Sequence, residues 1–248
     1  MIEFDSFCYL QNQKTGCSMV EAFLRQCCSE GIVRYEKHRA PKTRKPGKFY
    51  FTGVREPLDT YLSLFNYGLD GKGELFERLR AGGQGGLYAK DIAGFVAWLD
   101  FVLDANHAAL VYPKGCAAIA AQLGLVSLRF LRLAALGFEG HSKDLADPAA
   151  IRDFFAAQKM TDAILRYESL QGDLLAVVEG PLRHAFADLP AAQAWIAASP
   201  RINPSTRRDK SETPVLPAVL RKKLKEREWY LYQTHYPKAQ ATDHKEST

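Results

Sequence analysis

A six-residue run, Gln13-Lys14-Thr15-Gly16-Cys17-Ser18, contains the residues best suited to chemistry in this sequence. It lies between an apolar, strand-like run from Phe4 to Leu10 and a periodic helix that is predicted to begin at Ser18. A tight loop at a helix N-terminus presents backbone N–H groups and the positive end of the helix dipole to an anion. Lys14 adds a full positive charge. We therefore expect a phosphate or sulfate group to bind at this loop.

The helix after the loop is predicted from apolar residues at three- and four-residue spacings. These residues are Met19, Val20, Phe23, Leu24, Cys27 and Cys28. Ser18, with Glu21 three residues later, predicts a capping box at the helix start. The nucleotide-binding pattern G-x-x-x-x-G-K-[ST] places its Lys after the second Gly, whereas Lys14 precedes Gly16 here. This order disfavours a Walker-type NTPase without excluding one.

A second pair of anion-binding side chains follows a later strand. The strand is predicted over Phe49 to Val54, and a helix is predicted from about Leu58 to Tyr67. Arg55 comes directly after the strand, and Ser63 comes eight positions later, two turns into the helix. A guanidinium offers a planar fork of donors and a hydroxyl offers a short donor. We expect the two side chains to hold one phosphate together.

Taken in order, these features resemble the PAPS-dependent sulfotransferases, and most closely their carbohydrate-type branch. The resemblance rests on the Lys-Thr-Gly-x-Ser loop at a helix start and on the strand that ends in Arg55-Glu56-Pro57. It extends to residues Asp162 to Leu170, which are similar to the family's late strand ending in aromatic-Glu-x-Leu. It also extends to Arg201 to Ser205, which resemble the family's C-terminal loop over the nucleotide. Four motifs therefore occur in the family's order.

The resemblance implies a site for 3′-phosphoadenosine 5′-phosphosulfate (PAPS). The 5′-phosphosulfate would be bound by the first loop, that is by Lys14, Thr15, Gly16, Cys17 and Ser18. The 3′-phosphate would be bound by Arg55 and Ser63, and the C-terminal loop would add Asn203, Ser205 and Arg207. The implied fold is α/β and P-loop-like, with three layers and a central, mostly parallel sheet flanked by helices.

Three positions depart from the family's pattern, and one of them is Cys17, where relatives usually have a small residue. Family members commonly have Pro before the Lys, where this chain has Gln13. They often have a second Arg five residues after the first, where this chain has Thr60. The missing second Arg weakens the expected 3′-phosphate site or transfers part of its role to Arg207 or Arg208.

The expected reaction needs a base and a stabiliser of the leaving group. Transfer through a loose transition state depends on positioning and charge stabilisation, so no covalent intermediate is required. Lys14 is the expected stabiliser of the oxygen that joins sulfur to the departing phosphate. His38, after a predicted strand from Ile32 to Tyr35, lies where many relatives have their base, and Glu36 is the alternative. An imidazole of pKa about 6.5 is largely neutral at cellular pH, and the cationic neighbours of His38, Lys37 and Arg39, favour the neutral form.

Length and composition indicate one globular domain. The chain has 248 residues, of which 47% are hydrophobic and 25% charged. We expect a single sulfotransferase domain over residues 1–237, a helical insertion over about 71–159 that covers the acceptor cleft, and a disordered tail over 238–248. No apolar run approaches the roughly 20 residues of a membrane span, and no signal sequence is evident. With five cysteines, an odd number, the chain is expected to be cytoplasmic with reduced thiols.

The formal net charge is +5, and the basic residues are concentrated in two segments. The first contains Arg34, Lys37, Arg39, Lys42, Arg44, Lys45 and Lys48, and the second contains Arg201, Arg207, Arg208 and Lys210. Such segments attract a polyanionic donor. Nucleic acid is disfavoured as a partner because no platform of stacking aromatic residues accompanies the charge.

The expected acceptor is a hydroxyl of a carbohydrate, no metal is expected, and the oligomeric state is left open. Two other functions remain possible from the sequence. One is an ATP-dependent small-molecule kinase that holds Mg²⁺ through Glu168. The other is a nucleotide-binding module without turnover.

Overall fold

The computed structural model describes residues 1–199, 214–237 and 239. Its strands are β1 Ile2–Glu3, β2 Phe7–Leu10, β3 Arg34–Tyr35, β4 Phe49–Val54 and β5 Ala163–Arg166. Its first six α-helices are α1 Cys17–Cys27, α2 Pro57–Leu69, α3 Glu74–Ala81, α4 Ile92–Leu103, α5 Ala108–Val111 and α6 Leu125–Ala134. The others are α7 Phe138–His141, α8 Pro148–Gln158, α9 Leu170–Glu179, α10 Leu189–Ala198, α11 Ala218–Arg227 and α12 Trp229–Thr234.

The strands form one mixed, open sheet in the order β3-β1-β2-β4-β5. β4 pairs in parallel with β2 on one side and with β5 on the other. β1 pairs antiparallel with both β2 and β3. Hence β3 runs in the same direction as β2, β4 and β5, and these four strands end at the same edge. The structure confirms an α/β fold, but the sheet is mixed, with two parallel and two antiparallel strand pairings, and the P-loop-like classification stays a prediction.

The start of the sheet differs from the prediction. The run from Phe4 to Leu10 is not one strand, because β1 and β2 form a hairpin in which the Phe4 N–H donates to the Phe7 carbonyl (2.9 Å). All four residues of β2 are buried, so no alternation of apolar and polar residues marks where the strand begins. The strand predicted from Ile32 is also shorter, because β1 offers only two residues as partners for β3.

The described residues fall into two compact units. The first contains residues 1–55, 129–138 and 153–199, and the second contains residues 56–128, 139–152 and the described residues after 213. The division falls inside α6, α7 and α8. The single domain over residues 1–237 stays a prediction.

In the first unit, the sheet is covered by apolar side chains on both faces. Phe7, Tyr9 and Phe51 of one face belong to a buried cluster with residues of α1, α9 and α10. Cys8, Leu10 and Tyr50 of the other face form a second cluster with Leu133 of α6 and Met160. Because adjacent strand residues point to opposite faces, the continuous apolar runs of β2 and β4 supply both clusters. This arrangement is compatible with a three-layer fold.

The second unit is helical in its described part. Its helix α4 lies within the predicted helical insertion, and Trp98 of α4 is fully buried. The helical region near the C-terminal end of the described residues is interrupted at Glu228, between α11 and α12. The buried Glu228 carboxylate accepts hydrogen bonds from the Ser127 N–H (2.7 Å) and the Val126 N–H (3.0 Å) at the start of α6. The carboxylate at the interruption thus accepts from backbone N–H groups that a helix N-terminus leaves unpaired.

Within the described ranges, no single helix is long and apolar enough to cross a membrane. The helical segments Ile92–Leu103 and Ala105–Val111 meet the length and composition criteria only as a pair, with a bend of 77° between them.

Candidate functional site

The loop between β2 and α1 begins its helix without a side-chain cap. The N-cap residue is Gly16, whose φ of 81° is left-handed, and its carbonyl accepts from the Met19 N–H (3.0 Å). The predicted capping box is therefore wrong, because Ser18 is already the second residue of α1 and Glu21 binds other groups. A glycine at this position leaves the backbone N–H groups of the first turn without a side-chain acceptor, which suits an anion site.

Gly16 also lies against the chain that follows β5. A Cβ added to Gly16 would overlap the Leu170 side chain and would lie 3.3 Å from Cδ2 of Tyr167. Only glycine combines a left-handed backbone with so close an approach. The glycine therefore allows the loop to pack closely against the residues that follow β5.

We expect Gly16→Ala to destabilise the protein more than Gly47→Ala does. Both glycines have a left-handed φ, at 81° and 73°, but a Cβ at Gly47 would have no atom within 4 Å. Backbone strain of about 1–2 kcal/mol is common to both variants, and overpacking adds about 1–3 kcal/mol for Gly16→Ala only. Thermal unfolding of the two variants measures the difference. Equal losses in Tm would contradict the close packing of Gly16.

Thr15 and Asn12 hold the loop against β4. The buried Thr15 hydroxyl donates to the Asn12 carbonyl (3.0 Å), and the Asn12 side-chain amide donates to the Gly53 carbonyl (3.0 Å). A Cβ at Gly53 would lie 2.6 Å from the Thr15 hydroxyl oxygen. The Thr15 side chain is thus engaged within the loop, so its expected contribution to anion binding would come from its backbone N–H. No local sequence pattern marks Asn12 as a residue of the site.

Cys17 is buried, with 8% of the residue exposed. Burial raises the pKa of the Cys17 thiol above its usual value, which keeps the side chain neutral. Its predicted place in the loop therefore depends on its backbone and not on a thiolate.

Arg55 directly follows β4, and Tyr167 directly follows the neighbouring strand β5. The Arg55 guanidinium carbon lies 4.1 Å from the centroid of the Tyr167 ring, a cation–π contact. Because the same ring approaches Gly16, Tyr167 contacts both the first loop and Arg55. Sequence reasoning found the aromatic-Glu motif that contains Tyr167 but did not assign this residue to the site.

His38 lies three residues beyond the end of β3, and its imidazole Nδ1 is 2.9 Å from the Gln11 carbonyl oxygen. Burial is the main cause that lowers the pKa of His38 below its usual value, and the charge of Lys37 lowers it further. In the neutral ring, Nδ1–H donates to the carbonyl and Nε2 keeps a lone pair. In that form Nε2 can accept a proton, as a general base must.

Glu36, the alternative base, is held by an ion pair. Its carboxylate accepts from Arg34 Nη2 at 2.7 Å, and this hydrogen bond lowers the pKa of Glu36. A carboxylate with a lowered pKa is a weaker base, and the choice between His38 and Glu36 stays a prediction.

Left-handed backbone conformations of non-glycine residues occur in the described chain at two positions, Lys14 (φ 66°) and His38 (φ 60°). Each costs of order 1–3 kcal/mol and persists only where the surroundings impose it, which is common at functional sites. Both positions are candidate catalytic residues from the sequence.

A scan of family models and searches of curated proteins and solved structures find no match to this chain.

The other predicted site residues lie in the second unit, in an exposed turn, or outside the described residues. Ser63 is a half-buried residue of α2 in the second unit, and its role stays a prediction from the resemblance. Glu168 is exposed in the 3₁₀ turn Tyr167–Ser169. Asn203, Ser205 and Arg207 lie outside the described residues, as does the predicted tail apart from Ala239. Among the described residues there is no group of three His, Cys, Asp or Glu side chains that could hold a metal ion.

Proposed function

We propose that this protein is a PAPS-dependent O-sulfotransferase that acts on a hydroxyl of a carbohydrate or glycan-like acceptor. One observation carries the proposal. The first loop, His38, Arg55 and Tyr167 follow β2, β3, β4 and β5 in turn, and these four strands end at one edge of the sheet. Ligands of open α/β sheets bind outside the carboxyl ends of the strands.

The donor would be held by two cationic groups that share one neighbour. The backbone N–H groups at the start of α1, together with Lys14, would bind the 5′-phosphosulfate. Arg55, whose guanidinium packs on Tyr167, would bind the 3′-phosphate. The Tyr167 ring packs on Arg55 and comes close to Gly16 of the loop, which supports binding of one nucleotide by both groups.

In the proposed reaction, the acceptor oxygen attacks sulfur in line with the bond to the departing phosphate oxygen. The new S–O bond forms as the old one breaks, and His38 Nε2 takes the proton of the acceptor hydroxyl. Lys14 neutralises the negative charge that develops on the leaving phosphate. The products are the sulfate ester and 3′,5′-adenosine bisphosphate.

Binding of the product nucleotide tests the proposal directly. We expect 3′,5′-adenosine bisphosphate without metal to raise Tm by several degrees, since a ligand at 100 times Kd stabilises by about 2.7 kcal/mol. Adenosine 5′-monophosphate, which lacks the 3′-phosphate, should raise it less. Labelled PAPS and a panel of glycans, lipids and phenols then identify the acceptor. Stabilisation by ATP with Mg²⁺ alone would overturn the proposal in favour of a kinase.

A further inference from the structure

We propose that Glu21 is a positioning residue that fixes the orientation and the tautomer of His38. Its catalytic consequence rests on the proposed function, whereas its effect on the imidazole can be measured without any activity. Glu21 acts through two neighbours, Gln11 and Tyr35, and is not one of the expected anion-binding residues.

The Glu21 carboxylate connects α1 to the residue after β2 and to the last residue of β3, which lead to the candidate base. Its Oε2 accepts from the side-chain amide of Gln11 (2.8 Å) and from the Tyr35 hydroxyl (3.3 Å). Its Oε1 accepts from Arg25 Nε (3.0 Å). The Glu21 side chain is 16% exposed and Gln11 is fully buried. Such a set of partners holds the carboxylate in one orientation.

Both neighbours bear directly on His38. Gln11 supplies the main-chain carbonyl that lies 2.9 Å from His38 Nδ1, so its position decides which nitrogen carries the proton. Tyr35 is the last residue of β3, three residues before His38. Its position therefore restrains the short segment that leads to His38. Glu21 therefore restrains the acceptor of the imidazole and the segment that leads to it.

The charges near these groups set the direction of the expected change. His38 is influenced by Lys37, Arg129 and the Met1 amino group, all of which lower its pKa. Glu21 faces Arg25 and Tyr35, and Glu36 is paired with Arg34. Burial is the largest cause of the lowered pKa, and the hydrogen bond to the Gln11 carbonyl opposes it. A His38 ring released into solvent loses both, so its pKa should rise toward the ordinary value of about 6.5.

The experiment is NMR titration of the His38 ring nitrogens in the full chain, combined with steady-state kinetics. In the unmodified protein we expect the neutral ring to carry its proton on Nδ1. In Glu21→Ala we expect a higher pKa, a mixture of tautomers, and a kcat lower by about 10- to 100-fold with KM for PAPS unchanged, as for other residues that orient a functional side chain. Glu21→Gln, whose amide oxygen can still accept from Gln11, should restore the single tautomer.

Two further variants serve as a control and as an independent test. Glu30→Ala is the matched control, because Glu30 is a carboxylate of the same unit that accepts from the Ser6 N–H (2.9 Å) and has no described contact with Gln11. Gln11→Met removes the donor of the same hydrogen bond and should change the pKa and tautomer of His38 as Glu21→Ala does. If Glu21→Ala does not fold, Gln11→Met tests the proposal instead.

The outcomes separate this inference from the proposed function. If His38 titrates with unchanged pKa and tautomer in Gln11→Met and in folded Glu21→Ala, the positioning role is overturned. If the unmodified protein transfers no sulfuryl group to any acceptor, the proposed function fails, while the titration still decides the role of Glu21.

Discussion

Replacement of Lys14 by Ala is expected to lower kcat for sulfuryl transfer by about 10²- to 10³-fold, the usual effect of removing one group that stabilises charge in the transition state. Lys14 lies in the first loop, two residues before Gly16, the N-cap of α1. Its amine would neutralise charge that appears only as the bond to sulfur breaks. Such a residue contributes to kcat more than to the affinity of the donor. The measurement is the rate at saturating PAPS.

Two variants test whether the amine itself is responsible. Lys14→Gly also removes the amine but relieves the left-handed backbone, where φ is 66°, so it should lose rate without losing stability. Lys42→Ala removes an exposed lysine of the same unit from outside the loop and should retain the rate. A Lys14→Ala protein that binds the donor weakly yet turns over at the original kcat would show that Lys14 only binds.

Replacement of His38 by Ala is expected to lower kcat by about 10²- to 10⁴-fold, the range for loss of a general base, and to leave nucleotide affinity unchanged. The reason is geometric, because Nδ1 is engaged with the Gln11 carbonyl and Nε2 remains for the acceptor hydroxyl. Kinetics and binding of 3′,5′-adenosine bisphosphate separate the two effects. Retained turnover would remove His38 from the mechanism.

The pH dependence of the rate follows from the same residue. A general base acts only in its unprotonated form, so the rate should rise with pH through the pKa of His38 and then level off. Because burial lowers that pKa below about 6.5, the rise should lie on the acid side of this value. His38→Ala should lack this limb. His184→Ala, which removes an exposed histidine of the same unit, should keep it.

Much of the candidate site could be predicted because its signals are local. The loop residues Lys14 and Gly16, the strand before Arg55 and the helix after Ser18 are encoded by neighbouring residues and by apolar periodicity. The position of His38 after a short strand was also predicted. That strand was the least accurate of these elements, because two exposed residues on a sheet edge leave little hydrophobic pattern.

Other features could not be predicted because they join distant parts of the chain. Glu21 was predicted to cap its own helix, but it binds Gln11 and Tyr35, which are 10 and 14 residues away in sequence. Tyr167 reaches Arg55 and Gly16 only because β5 pairs with β4. The break at Glu228 arises because a buried carboxylate meets the start of α6, about 100 residues earlier in the chain.

The sequence by itself determined the α/β class, the main helices and the residue types able to bind an anion, since periodicity and turn chemistry are properties of short segments. The tertiary structure alone decided which of these residues meet. Strand order and direction brought the ends of β2, β3, β4 and β5 to one edge, and burial lowered the pKa of His38. Both depend on packing between segments far apart in sequence, which no local pattern encodes.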